Sequence, residues 1–78
     1  MTLYHVICAA TLPNATPYVE VTESFKTLRE AEECFARIID SYENDAMYGC
    51  DLNDDTFVAH SRFSDIKYYF EIHTSEVN

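Results

Sequence analysis

One glycine and two prolines in 78 residues leave little material for loops. A single glycine cannot build a phosphate cradle, and no GxSxG, HExxH or glycine-rich nucleotide motif occurs. Cations are also scarce. Five Lys and Arg stand against fourteen Asp and Glu, for a formal charge of −9. Binding to phosphates needs cations, so direct contact with DNA, RNA or an anionic membrane is disfavoured. Three cysteines, Cys8, Cys34 and Cys50, make an odd set with no CxxC pair. They read as reduced thiols and point to a cytoplasmic protein. The apolar run near the start, residues 3–12, has no basic leader and is too short for a span, so neither a signal peptide nor a transmembrane helix is expected.

What is present is apolar side chain, 47% of residues, with six Tyr and five Phe. That is enough for one folded domain over 1–78 and too much for a disordered tail. A chain of this size buries roughly 60–65% of its unfolded surface, so the core must be thin. Its organising stretch is residues 27–43, TLREAEECFARIIDSYE. Leu28, Ala31, Phe35, Ile38, Ile39 and Tyr42 recur at three- and four-residue steps with Cys34 beside them, the period of an amphipathic helix. Thr27 and Glu30 form a capping-box pattern at its start. The helix can stop at Asn44, or Ala46 can extend its stripe to a closing Gly49; the earlier stop is favoured because Asn44 can itself cap.

The rest reads as strand. Residues 3–12 are apolar on both alternating faces, the mark of a central strand. Pro13 and Pro17 fence a turn. Residues 18–22 alternate, with Val19 and Val21 on one face and Tyr18, Glu20 and Thr22 on the other. Residues 23–26 link to the helix, with Phe25 tucked under its first turn. After a polar loop at 50–55, residues 56–63 place Phe57, Ala59, Ser61 and Phe63 on one face. Residues 66–74 place Ile66, Tyr68, Phe70 and Ile72 inward, and 75–78 are expected to fray. The order is β-β-α-β-β. The expected fold is a two-layer α+β domain, an antiparallel four-stranded sheet with one helix packed on one face. Its open face should carry Tyr18, Glu20, Tyr69, Glu71 and His73.

No stretch names a reaction. Asp51, Asn53 and Asp55 imitate the opening of a calcium loop, but Thr56 stands at its glycine position and Arg62 at its bidentate glutamate. His5 and Cys8 have a metal-like spacing, yet three residues along a strand put them on opposite faces. Glu71 and His73 share a strand face and could exchange a proton; a polar outward face is the plainer reading. The expectation is a non-enzyme without metal or cofactor.

The remaining signal is surface charge. Glu30, Glu32, Glu33 and Asp40 line the helix's exposed side, and Glu43, Asp45, Asp51, Asp54 and Asp55 follow within thirteen residues. Carboxylates spread this way can imitate duplex phosphates and occupy a nucleic-acid groove on another protein, with Tyr69 as an anchor. The competing reading is a helix kept soluble by its charged face, with Arg29–Glu33 and Glu33–Arg37 one turn apart.

FKTLREAEECFARII, set between a hairpin and further strands, resembles a pattern common in small bacterial and phage proteins. By size, acidity, absent catalytic motifs and β-β-α-β-β order, the whole chain is similar to several anti-CRISPR proteins. That resemblance carries no residue over individually. It implies a phage or mobile-element protein acting in the host cytoplasm, binding a basic surface of a CRISPR effector subunit and denying it DNA. The alternative is a structural module that forms a homodimer through its sheet face or a free edge strand.

Overall fold

The computed structural model describes residues 1–12, 16 and 18–77. Among them, five strands and one helix follow in order: β1 Thr2–Thr11, β2 Tyr18–Phe25, α1 Leu28–Glu43, β3 Tyr48–Asn53, β4 Thr56–Ser61 and β5 Lys67–Glu76. The strands form one antiparallel sheet in the order β2-β1-β5-β4-β3. The two-layer α+β class stands as expected, but the sheet has five strands and the order is β-β-α-β-β-β. The turn expected at 13–17 lies, apart from Thr16, outside the described residues.

This topology sets the course of α1. It leaves β2 at one edge and must deliver the chain to β3 at the other. Sixteen helical residues rise about 24 Å, and five strands span about 19 Å between outer axes. One helix is therefore just long enough to cross the sheet. Its first half places Ala31 and Cys34 on Val6, beside Tyr4, Phe25 and Ile72. Its second half places Ile38, Ile39 and Tyr42 on Cys8, Phe57, Ala59 and Phe70. Tyr42 is the hub of the aromatic contacts: 4.9 Å from Tyr48 edge-on, 5.5 Å from Phe70 and 6.3 Å from Phe57 between ring centroids. Leu28, assigned to the same stripe, is 46% exposed because it precedes the first turn that reaches the sheet.

Both helix ends close locally. The Glu30 amide donates to Thr27 Oγ1 at 3.2 Å, and that hydroxyl donates to Glu30 Oε1 at 2.8 Å. At the other end, Asn44 Nδ2 donates to the Asp40 carbonyl at 2.8 Å. Asn44 is thus the stop. Gly49 lies within β3 and not in a left-handed cap.

Two corrections follow from strand geometry. The loop expected at 50–55 is mostly β3. Tyr48 and Cys50 pack on the helix side, and a two-residue turn at Asp54-Asp55 joins β3 to β4. Asp54 takes φ 50°, a left-handed conformation that aspartate tolerates. In β2, the register moves from Val6↔Glu23 to Ile7↔Val21, so Thr22 is the extra residue of a β-bulge. The bulge inverts the alternation. Phe25 faces the helix, while Val19 and Val21 stand on the open face beside Ala9 and Ile7. The register turns Tyr18 toward the helix side, opposite to expectation; the side chain of Glu20, also expected on the open face, is not among those described.

Smaller differences have the same kind of cause. Residues 23–25 continue β2 instead of linking to the helix. Phe63 lies beyond the end of β4 and is 76% exposed. Residues 75–77, expected to fray, are held: β5 runs to Glu76, the Met1 amine donates to the Val77 carbonyl at 3.0 Å, and the Val77 amide donates to Met1 O at 2.8 Å; Asn78 lies outside the described residues.

Gly49 makes room for a ring. A Cβ there would sit 2.3 Å from Cε1 of His60, its partner across β3 and β4. Gly49→Ala is therefore expected to cost about 1 kcal/mol by forcing His60 into a poorer rotamer, and much less when His60 is also Ala. Urea unfolding of the four chains of this double-mutant cycle measures the coupling. Additive single effects would remove His60 as the reason for the glycine.

Candidate functional site

The side chains proposed as a site divide between two sides of the molecule. On α1, Glu33 and Asp40 share the stripe away from the sheet, and Glu30, Glu32 and Glu43 flank it, at 100° per residue. All five are exposed, as are Asp45 after the helix and Asp54 and Asp55 at the β3–β4 turn. Asp51 and Tyr69 belong elsewhere. Asp51 pairs with Val58 and Val58 with Tyr69, so these three form one cross-strand row on the open face. The structure brings the helix carboxylates together and sets Tyr69 behind them, across the sheet.

Among the described residues, Glu33 pairs with Arg29 at 3.3 Å. Arg37 lies against the Cys34 thiol instead of Glu33. The last turn of α1 carries no basic residue. Asp40 and Glu43 thus stand at the negative end of the helix dipole, an arrangement that costs about 0.3–1 kcal/mol per charge.

Between β2 and α1 lies an open cleft of about 370 Å³, lined by Thr22, Glu23, Cys34, Arg37, Ile38, Ser41, Tyr42 and Phe70. Cys34 Sγ is 3.7 Å from Glu23 Oε2. Burial pushes this thiol's pKa up, and the Glu23 charge and hydrogen bond push it further, against a smaller opposing effect of Arg37. Cys50 shifts the same way through burial and the Glu43 charge. Thiols held protonated are poor nucleophiles and poor metal ligands.

The open face gathers all three histidines. His5 bridges Ser24 and Ser75 at 2.7 Å each through its two ring nitrogens. His73 Nε2 is 3.0 Å from Glu71 Oε2, and His60 Nε2 is 3.9 Å from Asp51 Oδ2. The Glu71–His73 pair suggested by the sequence is thus formed, in a shallow hollow with Ile7, Ala9, Val19 and Tyr69. His5 and Cys8 face opposite sides, and among the described residues no three His, Cys, Asp or Glu converge as a metal site would require. No helix among them is long and apolar enough to cross a membrane. Sequence reasoning missed the exposed valines of the open face, since a bulge leaves no periodic trace.

Comparison of the chain with protein-family models, with curated proteins and with solved structures returns no match.

Tyr42 offers a test of the packing beneath the acidic helix. Burial, then the neighbouring Tyr48, pushes its pKa up from 10 to about 12. In the unfolded chain the phenol ionises near 10, so the stability it contributes is intact below that pH and is lost as pH rises through about 12. Urea midpoints measured from pH 9 upward should fall less steeply in Tyr42→Phe than in the parent. Equal slopes would show that Tyr42 is not the group responsible.

Proposed function

We propose that this chain is a non-catalytic binding protein. It presents the acidic side of α1 and the β3–β4 turn to the basic, nucleic-acid-contacting surface of another protein. Its partner, on this reading, is a CRISPR effector subunit in the cytoplasm, which loses access to DNA when covered.

The observation that carries the reading is the placement of charge against stability. Glu33 and Asp40 lie about 10 Å apart along one helix stripe, with Glu30 and Glu43 on its flanks. Asp40 and Glu43 crowd the helix end where the dipole disfavours them, with no cation in that turn. Charge needed only for solubility would be as effective at the other end, where the dipole favours it. A carboxylate array of this kind is complementary to a groove lined by Lys and Arg, and steers association through long-range attraction. The upward-shifted pKa values of Cys34 and Cys50 argue against either thiol as a nucleophile.

The test combines inhibition with stability. Purified chain is titrated into CRISPR effector complexes of several types, and target-DNA binding is read by gel shift. One type should lose DNA binding at equimolar inhibitor, with steep relief as salt rises. Glu33→Lys and Asp54→Lys should each weaken inhibition about tenfold. Glu43→Lys should also weaken it while raising the stability of the free chain by about 0.5 kcal/mol. Effectors that are all unaffected, or inhibition indifferent to salt and to these reversals, would overturn the reading.

A further inference from the structure

The open face of the sheet differs in character from the rest of the surface. Val19 is 69% exposed and Val21 56%. Strand pairing places them beside Ala9 and Ile7, and the row Val19–Ala9–Tyr69–Val58 runs across four adjacent strands. β1 is thus apolar on both faces, although only one is covered by α1. The charges of this face nearly balance. Its strands project Asp51 and Glu71, each with a histidine beside it, together with Lys67.

We propose that this face is the interface between two copies of the chain. Charge selects the occupant. Two molecules of −9 repel over most of their surfaces. On this face they can meet with little net charge opposed, and with a lysine on each copy to face carboxylates of the other. A basic partner suited to the helix side finds no acidic array here, and nucleic acid finds a single lysine. A two-fold pairing of like patches satisfies this mixed pattern.

Area and edges agree. Strands of up to ten residues, five abreast, give the face about 600 Å². That approaches the roughly 800 Å² per partner of a standard interface. The sheet edges are poorer sites. β2 is bulged at Thr22, and β3 is six residues long with Asp51 within it, both features that discourage strand addition. Pairing through the open face leaves α1 of each copy turned outward, so the interface is independent of the proposed acidic surface.

Light scattering of the full chain over a concentration series, with circular dichroism to confirm folding, tests this. The chain should have the mass of a dimer at about 100 µM and dissociate on dilution. Val19→Glu and Val21→Glu change exposed side chains, so both should fold, and each should weaken association at least about tenfold. Glu33→Lys, on the opposite side, should leave the dimer unchanged. A monomer at every concentration would overturn the proposal. So would a dimer that survives both valine variants, or one lost only with Glu33→Lys. None of these readouts involves a CRISPR effector, so failure of the acidic-surface reading would leave them unaffected.

Discussion

Everything in this molecule depends on one helix covering one face of a five-stranded sheet. A 16-residue helix buries a strip and not a whole face. The fully buried large side chains are accordingly few, Phe57 and Val6, with Phe70 nearly so. Aromatic residues make up the difference. Tyr42, Tyr48 and Tyr68 reach inward from the rim of the strip and keep part of each ring in contact with water. Among the described residues no second helix covers the other face. The open side with its valines follows from the same shortage.

The parts of this arrangement that could be read from residues are those with a sustained period. α1 declares itself through four turns of apolar spacing and a threonine cap. β5 does so through Tyr68, Phe70 and Ile72 alternating with Lys67, Tyr69, Glu71 and His73. β3 was hidden. Of its six residues, Gly49, Asp51 and Asn53 face away from the core, and a glycine between Tyr48 and Cys50 imitates a helix stop. Its turn uses Asp54-Asp55, not the Asn-Gly that usually marks a hairpin. The bulge was hidden for a different reason. One inserted residue changes no composition, yet it turned Val21, Val19 and Tyr18 onto the other face. Exposure of the acidic residues was legible from their type. Their division, with the helix carboxylates on one side and Asp51 and Tyr69 on the other, depends on register and was not.

The two sides form a contrast. Outside the helix, like charges accumulate where the dipole disfavours them. Beneath the sheet, the carboxylates sit beside histidine rings: Glu71 beside His73, and Asp51 near His60. With Lys67 set against Asp51 and Glu71, that face carries little net charge, whereas the helix side projects its charge outward. One surface suits attraction of a distant opposite charge and the other suits close contact, so the two proposed interactions need not compete for residues.

The pairing of β1 with β5 has a further consequence. It joins Thr2 to Glu76, Tyr4 to Thr74 and Cys8 to Phe70, so the middle of the sheet is made from opposite ends of the chain. Contacts of that sequence separation close late and slowly. Until β5 emerges from the ribosome, β1 has only β2 beside it in the sheet, and Cys8 lacks its cross-strand partner Phe70. For that interval the nascent chain exposes a long apolar edge, the period in which its strong self-repulsion is most useful against aggregation.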